Sequence, residues 1–334
     1  MKVVNFLIKS VGFLAGFGAL AFVAMALAGP IGWPFELFSS WPYLTAALGT
    51  GGAILAGLCR WPRLGSVVFA GSVVLVALAM ASPGDISRAR APTPNPENNH
   101  LVWGNAMRKE NNVRELMART TNANQPVLAI GEIPSGWQWE GLPERKSLNR
   151  VKAGDGLIGI GIEGCDAAKK TFVTQSARDG VRRIRTFALR VTCPNYTLFA
   201  VHLTNPLWEW GQRFDRRNEE LAQLAQAVKA ETGPVVIIGD FNTAPNALPF
   251  SRFMKAANVS HTSCGGRWLP TWRPYDWRGK FGDGNPLTGV PIDHLFTRDV
   301  QVVSCTVGAD FGSDHLPLII ELKKPAPFSS QTAP

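Results

Sequence analysis

The spacing of apolar residues divides the chain into two parts. Residues 1–84 are almost uncharged, whereas the sequence from about residue 100 alternates short apolar runs with polar segments. Three runs carry no charged residue: Ser10–Phe35, Leu37–Cys59 and Leu64–Gly84. Each run exceeds the roughly 20 residues that an α-helix needs to cross the hydrocarbon core of a bilayer. The pattern predicts three transmembrane helices, over about residues 10–30, 40–59 and 64–82.

The basic residues between these runs predict their orientation. Lys2 and Lys9 precede the first run, Arg60 and Arg63 separate the second from the third, and the first connection carries only Glu36. Because cytoplasmic loops are enriched in Lys and Arg, the N-terminus is expected in the cytoplasm and the rest of the chain outside it. The predicted location is the inner (plasma) membrane, multi-pass, with a periplasmic or extracellular domain.

Other interpretations of the apolar part stay open. Lys2 and Lys9, an apolar stretch and Ala26-Leu27-Ala28 are also typical of a cleavable signal peptide. The runs are alternatively buried core helices of a globular protein. A transport unit is disfavoured because no charged residue interrupts a run, so an ion pathway is not indicated.

The second part of the sequence predicts an α/β domain. A Pro-rich linker over residues 85–98 precedes a domain over 99–324, and residues 325–334 are expected to be a disordered tail. Helices are predicted at Val113–Thr120 and Gln212–Glu231. The predicted strands are His100–Trp103, Pro126–Ile130, Leu157–Ile162, Thr171–Thr174, Ile184–Val191, Tyr196–Leu203, Val235–Ile238, Pro291–Phe296, Val300–Val307 and Leu316–Leu322. This order favours two packed mixed β-sheets covered by helices.

Charge and cysteine content add little to this picture. The net charge of +9 suits an anionic substrate or surface, and equally plain solubility. Four of the five cysteines lie in the soluble part, which permits two disulfides in an oxidising compartment. Neighbourhood in sequence favours Cys165–Cys193 and Cys264–Cys305, although three pairings and four free thiols remain open.

Polar residues follow six of the predicted strands. Such strand ends are where ligands commonly bind in α/β folds. The residues are Asn105, Glu132, His202, Asp240 with Asn242, Asp293, and Asp314 with His315. Singly, each has an ordinary structural interpretation such as an Asx turn, but chance placement of all six is improbable.

This set, in this order, resembles the endonuclease/exonuclease/phosphatase superfamily. The resemblance rests on the Gly-Asp-Phe-Asn, Ile-Asp-His and Ser-Asp-His elements and covers about residues 98–324. It implies a four-layer α/β sandwich and hydrolysis of phosphoesters with Mg²⁺ or Mn²⁺. With its apolar segment, the chain also resembles membrane-attached bacterial members of the family.

The resemblance implies a role for each matching residue. Asn105 and Glu132 would hold the metal, with Asp314 assisting metal or phosphate binding. Asp240 would orient or deprotonate the attacking water. Asn242 and His202 would bind phosphate oxygens, and His202 would also protonate the leaving group. Asp293 would fix the orientation of His315, which stabilises charge in the transition state. Independently, hard cations prefer carboxylate oxygens, and an Asp–His pair supplies an oriented group of near-neutral pKa.

The sequence departs from the abasic-site endonucleases of this family. They carry an acid where Met107 stands, a Tyr after the first Glu that Asp155–Ile158 lacks, and no His at the position of His202. The sequence is therefore more similar to the deoxyribonuclease-I, sphingomyelinase and phosphatase branches.

Two further features concern the substrate. Arg217, at the start of the long predicted helix, is a candidate phosphate contact, although a solvated helix face is the simpler interpretation. Residues 267–281 interleave basic and aromatic side chains, as do proteins that stack bases or lie at a lipid headgroup layer.

We therefore expect a membrane-anchored phosphoester hydrolase, and more specifically a nuclease-like phosphodiesterase. The expected partners are a nucleic acid or lipid-headgroup substrate and membrane lipid, with no obligate protein partner. A phospholipid or sphingomyelin headgroup phosphodiesterase or phosphatase is the alternative. A catalytically silent, membrane-attached binding module is a third interpretation, disfavoured because the residue set is complete.

Overall fold

The computed structural model describes the two parts of the chain and the contacts between them. The described residues are 2–81, 98–122, 127–134, 137, 148–151, 158–162, 166–178, 181–207, 211–265, 269–274, 285 and 287–323. The predicted linker (except residue 98), the predicted tail and most of the basic-aromatic stretch lie outside these ranges.

The apolar part is a bundle of helices. Its long helices are α1 (Lys2–Leu27), α3 (Pro42–Leu58) and α4 (Pro62–Met80), and the short α2 (Phe35–Ser39) lies in the connection between α1 and α3. Large apolar side chains point away from the bundle, for example Leu14 at 70% exposure and Leu58 at 76%. Exposed apolar surface of this extent indicates an apolar environment such as lipid or another protein.

Of the three predicted membrane-spanning helices, two are candidates by length and composition, and the third is a shorter apolar helix. Two helices are long and apolar enough to span a membrane, α1 with a mean hydropathy of 2.1 and α4 with 2.0. Helix α3 has 17 residues, bounded by Pro42 at its start and by the turn before Pro62 at its end. At about 1.5 Å per residue, it is about 25 Å long, which is shorter than a hydrocarbon core of roughly 30 Å.

The soluble part contains two six-stranded sheets. The strands of the first, in chain order, are β1 (Asn99–Asn105), β2 (Val127–Gly131), β3 (Leu148–Val151), β4 (Ile158–Ile162), β11 (Val302–Val307) and β12 (Leu318–Leu322). Those of the second are β5 (Asp166–Arg178), β6 (Val181–Thr192), β7 (Thr197–His202), β8 (Val235–Asp240), β9 (Ser260–Thr262) and β10 (Asp293–Arg298). Their spatial orders are β11-β12-β1-β2-β4-β3 and β5-β6-β7-β8-β10-β9.

Three helices cover the outer faces of the sheets. Helix α5 (Glu110–Asn122) packs on the first sheet, and α6 (Gln212–Lys229) and α7 (Leu248–Ala257) pack on the second. The core between the sheets is built from alternate strand residues such as Trp103, Leu189 and Ile238, all fully buried. The predicted four-layer α/β sandwich of two packed mixed sheets covered by helices is confirmed.

One predicted disulfide joins the loop after β9 to strand β11. Cys264 and Cys305 are bonded to each other, 41 residues apart in sequence. Cys193 is also disulfide-bonded, and its predicted partner Cys165 lies outside the described residues.

Candidate active site

The ends of five strands, two in the first sheet and three in the second, bring the predicted residues together. In the parallel pair β1–β2, Asn105 is level with Gly131, the residue before Glu132. In the second sheet, Asp240 is level with both His202 on β7 and Asp293 on β10. Because the sheets pack face to face, these two edges meet in one cleft. The fold therefore converts six separated sequence signals into one cluster.

Glu132 is the carboxylate of this cluster that solvent reaches. Its side chain is 26% exposed, and its Oε1 lies 3.3 Å from Nε2 of His202. Burial alone would raise the pKa of Glu132, but the hydrogen bond from His202 and the charges of His202, His315 and Arg108 lower it to about 2. Glu132 also has a positive φ of 51°, which is uncommon for a non-glycine residue and concentrated at functional sites. The site therefore holds an ionised carboxylate that faces the cleft.

Asp240 lies deeper, with a side chain that is 2% exposed. Its Oδ1 accepts a hydrogen bond from the backbone N–H of Asn242 at 2.8 Å. Its Oδ2 lies 3.7 Å from Nε2 of His202 and 3.8 Å from Nε2 of His315. Burial raises the pKa of Asp240 to about 6 despite these neighbours. A carboxylate with this pKa can accept a proton near neutral pH.

Asp293 and His315 form a buried acid–imidazole pair. Nδ1 of His315 lies 2.7 Å from Oδ2 of Asp293, and Nε1–H of Trp103, from the other sheet, donates to Oδ1 of Asp293 at 2.6 Å. Burial would lower the pKa of His315, but the carboxylates of Asp293, Asp240 and Asp314 raise it to about 10. His315 is therefore a cation at neutral pH, with Nε2 directed toward Asp240.

The same pair bears on where a cation could bind. Ligand atoms of Asp240, Asp293 and His315 all lie within 4.8 Å of one another. However, Asp293 and His315 already bond to each other, and cationic His315 cannot ligate a metal. We therefore interpret Asp293 and His315 as an ion pair rather than as metal ligands. The donor set that fits a hard cation is Glu132 with Asp240 nearby, because Mg²⁺ takes one or two carboxylates and retains several waters.

Asn105 joins the carboxylates through its amide nitrogen. Its Nδ2 lies 3.4 Å from Glu132 Oε1 and 3.4 Å from Asp240 Oδ2. Its Oδ1 accepts the backbone N–H of Met107 at 3.0 Å, and this donor assigns the amide orientation. In this arrangement Asn105 presents hydrogens, not oxygen, to the site. Its role as a metal ligand stays a prediction that requires the amide to turn.

His202 is oriented by residues that the sequence did not single out. Arg185 on β6 donates to the backbone oxygen of His202 at 2.6 Å, and the same Nη2 lies 3.4 Å from Nδ1 of His202. An arginine only donates, so Nδ1 is the acceptor nitrogen and Nε2 carries the proton directed at Glu132. Glu220 on α6 holds Arg185 at 3.1 Å. In the sequence, Arg185 stands beside two other arginines, Arg182 and Arg183. No feature of the sequence marks Arg185 as the one that contacts His202.

Asn242 and Asp314 lie in the cleft, but each has partners within the protein. Asn242 donates through Nδ2 to the backbone oxygen of Leu203 at 2.9 Å. Asp314 accepts from Trp272 Nε1 at 3.1 Å, so part of the basic-aromatic stretch is fixed to the site. Their predicted roles toward phosphate and metal remain predictions.

The structure gives Arg217 a different environment from either alternative considered. It is fully buried rather than on a solvated face. Its Nη1 lies 2.8 Å from Oε1 of Glu36, and its Nη2 lies 3.1 Å from Oε2. The guanidinium is therefore occupied by a carboxylate of the apolar part, which does not favour the predicted phosphate contact.

The cleft is walled by both parts of the chain. It contains about 680 Å³ of empty space, partly open to solvent. Its lining includes Glu132, Asp240 and His315 from the domain, and Leu37 and Trp41 from the α1–α3 connection.

Sequence comparisons point to one family. Residues 165–315 match the sequence model of the Endonuclease/Exonuclease/phosphatase family. The chain is 27% identical to a UPF0294 protein of Vibrio vulnificus over 128 residues, 38% of this chain and 40% of that protein. It is 29% identical to a UPF0294 protein of Vibrio cholerae over 126 residues, 38% of each chain. The match thus spans about two fifths of these relatives' length.

Solved structures show the same fold. A 3'-5' exonuclease from Neisseria meningitidis superposes with a TM-score of 0.51 at 13% identity, covering 67% of this chain and 100% of that one. A 3' phosphatase from Neisseria bound to a product DNA hairpin gives a TM-score of 0.50 at 14% identity, covering 67% and 99%. At these identities the likeness concerns the fold alone.

Proposed function

We propose that this chain, whose residues 165–315 match the model of the endonuclease/exonuclease/phosphatase family, is a phosphoester hydrolase, and more specifically a divalent-metal-dependent phosphodiesterase. The observation that carries the proposal is the convergence of Glu132, Asp240, His202 and the Asp293–His315 pair in one cleft. This set supplies an accessible anionic ligand, a buried proton acceptor and a fixed cation within a few ångströms.

Each side chain has a step that its position allows. Asp240, with a pKa of about 6, accepts the proton of the attacking water. His315 holds positive charge where negative charge develops on the phosphoryl oxygens, as preorganised electrostatic stabilisation requires. His202 carries a proton on Nε2 that can be donated as a hydrogen bond to a phosphate oxygen or to the leaving oxygen. Asn242 would contact a phosphate oxygen if its amide exchanged Leu203 for substrate.

A divalent cation would be held by Glu132, with Asn105 and Asp314 as further candidate ligands. When bound, Mg²⁺ or Mn²⁺ would polarise the phosphoryl group and lower the pKa of a bound water. The ionised state of Glu132 supports this assignment, since its pKa of about 2 leaves it anionic throughout the neutral range.

We also propose that the apolar helices anchor the protein in the inner membrane, with the domain on the periplasmic or extracellular side. Helices α1 and α4 support this by length and composition. The basic residues Lys2, Lys9, Arg60 and Arg63 support the orientation. The bonded Cys264 and Cys305 fit an oxidising compartment.

A nucleic acid is the substrate class that we propose first, because the Neisseria enzyme of similar fold, solved twice, is named a 3'-5' exonuclease and is bound to a product DNA hairpin in one structure. One observation favours a second candidate, a lipid-headgroup phosphodiester. Leu37 and Trp41, from the connection between apolar helices, line the same cleft as the candidate catalytic side chains. A substrate that carries its phosphate close to a bilayer would contact these two side chains.

The two candidates are separated with the full-length protein in nanodiscs. Single-stranded DNA, RNA, sphingomyelin and phosphatidylinositol phosphates are offered with Mg²⁺ or Mn²⁺, beside Asp240→Asn and the surface control Glu115→Gln. Nucleic-acid cleavage that falls steeply with salt, and is lost in Asp240→Asn, supports the first candidate. Lipid hydrolysis lost in the same variant supports the second. Turnover of nothing by the folded wild type contradicts both.

A further inference from the structure

The connection between α1 and α3 is attached to the catalytic domain through a buried ion pair. Glu36 on α2 is 2% exposed and Arg217 on α6 is fully buried. Two nitrogens of Arg217 face the two carboxylate oxygens of Glu36, at 2.8 and 3.1 Å. Such bidentate pairs are geometrically specific because the planar guanidinium matches the carboxylate. The two residues are 181 positions apart in sequence, so the pair joins the apolar part to the domain.

Arg217 also contacts the loop that follows Phe241 and begins at Asn242. Nη1 of Arg217 donates to the backbone oxygen of Asn242 at 2.9 Å. Thr243 donates from its hydroxyl to Oε1 of Glu36 at 3.3 Å. Glu36 and Arg217 therefore bind both residues of the turn that follows Phe241.

Two further hydrogen bonds join the α1–α3 connection to the domain, one at Asn246 and one at Thr288. Asn246 donates to the backbone oxygen of Ser39 at 2.6 Å. Trp41 donates from its indole N–H to the backbone oxygen of Thr288 at 3.1 Å. The connection thus contacts the segment that begins at Asn242 in two places, through Glu36 and Ser39, and it contacts Thr288 through Trp41.

The turn matters for catalysis because it orients Asp240. Asn242 has a positive φ of 47°, a conformation that a non-glycine residue keeps when its surroundings enforce it. In this conformation its backbone N–H lies 2.8 Å from Oδ1 of Asp240. A change in the backbone conformation of Asn242 would therefore break this hydrogen bond and let the Asp240 carboxylate move.

We propose that Glu36 is a positioning residue for the active site and acts through Arg217 and Asn242 on Asp240. The apolar segment is then an integral part of the catalytic unit as well as an anchor. A domain without it would leave Arg217 without its carboxylate and remove one wall of the cleft. The kinetic consequence rests on the proposed function, whereas the effect on the loop can be measured without it.

The test compares two ion pairs in the full-length protein. Glu36→Gln keeps the side-chain shape and removes the charge. The matched control is Glu231→Gln, which breaks the bidentate Arg190–Glu231 pair beyond the far end of α6 (2.7 and 2.8 Å). Each variant is assayed for thermal unfolding, for kcat and KM on bis-p-nitrophenyl phosphate with Mg²⁺, and for hydrogen exchange of the peptide containing residues 240–243.

We expect Glu36→Gln to lower kcat about tenfold or more per folded molecule, a part of the roughly 10²- to 10⁴-fold that general acid–base catalysis contributes, with KM changed less than about threefold. Exchange of residues 240–243 should accelerate beyond any global change. Glu231→Gln should leave kcat and the exchange of residues 240–243 unchanged. Equal, small effects of both variants on kcat and on this exchange would overturn the proposal.

A second variant covers the case in which Glu36→Gln does not fold. Glu36→Leu with Arg217→Met replaces the pair by apolar groups, which commonly preserves stability when both charges are removed together. The double variant should unfold near the wild-type temperature, yet remain impaired in kcat and fast in exchange at residues 240–243. Wild-type values of both would show a purely structural pair. If the wild type itself turns over nothing, the proposed function fails while the exchange data still decide the positioning role.

Discussion

The imidazole of His315 lies 2.7 Å from the carboxylate of Asp293, and both side chains are buried. Asp293 also accepts from the indole of Trp103 on the opposite sheet. The pair therefore lies where the two sheets meet, and it fixes which imidazole nitrogen faces the cleft. Packing of the sandwich and chemistry of the site depend on the same carboxylate.

We expect Asp293→Asn to lower kcat by about 10²- to 10³-fold, within the range of general acid–base effects. The amide cannot supply the charge that keeps His315 cationic, and its N–H can face Nδ1 and reverse the tautomer. Steady-state kinetics on bis-p-nitrophenyl phosphate measure the loss. Thr297→Ser, on the same strand and away from the site, is the control. An Asn variant within about twofold of wild type would show that the pair has no catalytic role.

Two histidines give stability an opposite dependence on pH. The pKa of His315 rises from 6.5 to about 10, so the folded state binds its proton more tightly than the unfolded state. Its contribution is complete below pH 6.5 and is lost as pH rises toward 10. Burial lowers the pKa of His294 to about 4, so its contribution is present above pH 6.5 and is lost as pH falls toward 4.

Unfolding midpoints measured from pH 4 to 10 test this assignment. His315→Gln should flatten the alkaline decline, and His294→Gln should flatten the acid decline. If His315→Gln left the alkaline decline unchanged, the raised pKa of His315 would be refuted.

Arg185 is expected to support His202 without touching substrate. Arg185→Gln removes the donor to the His202 backbone oxygen and to its Nδ1, so the ring can turn or change tautomer. We expect kcat to fall about tenfold, a part of the roughly 10²- to 10⁴-fold that an acid–base group contributes, because His202 itself remains. Arg190→Gln is the control on the same strand, since its partner Glu231 lies away from the cleft. Equal kinetic effects of the two changes would argue against this role.

Glu132→Gln should weaken cation binding by about 10- to 100-fold or more, because changes around ligating groups typically cost this much in affinity. Calorimetric titration with Mn²⁺ measures binding directly, without turnover. Glu115→Gln removes an exposed carboxylate on α5 and should bind Mn²⁺ as the wild type does. Unchanged affinity in Glu132→Gln would move the cation away from this residue.

The Cys264–Cys305 bond should stabilise the folded domain by about 2–4 kcal/mol, the usual range for a disulfide. Cys264→Ala with Cys305→Ala should lower the unfolding temperature under oxidising conditions. Reductant should then have a smaller effect on this variant than on the wild type. A variant as stable as the wild type would contradict a structural role.

Local patterns predicted most of the fold because each strand and helix was encoded within a few residues. Val235–Ile238 and Gln212–Glu231 were found at almost their observed bounds. Helix α7 is absent from the elements predicted from the sequence, although Phe250, Phe253 and Ala257 have helical spacing. Helix α1 starts at Lys2 and not near residue 10, since Lys2 and Lys9 do not interrupt a helix.

The candidate site was predicted residue by residue, but its supporting contacts were not. Asp240 and His315 end or precede recognisable strands. Glu36 was noted only as the acid of a loop, and nothing nearby in sequence indicates its ion pair with Arg217, 181 residues away. The Arg185–His202 contact likewise depends on how β6 packs beside β7. Such long-range pairs follow from the packed fold and have no local signal.

Whether this chain is a metal-dependent phosphodiesterase is tested by hydrolysis of bis-p-nitrophenyl phosphate by the full-length protein. Wild type, Asp240→Asn and Glu115→Gln are compared in Mg²⁺, in Mn²⁺ and in chelator. We expect turnover by wild type and Glu115→Gln, and we expect chelator to abolish it. The turnover rate of Asp240→Asn should be lower by about 10²-fold or more. Equal turnover by Asp240→Asn and wild type, or turnover that persists in chelator, would contradict the proposed function.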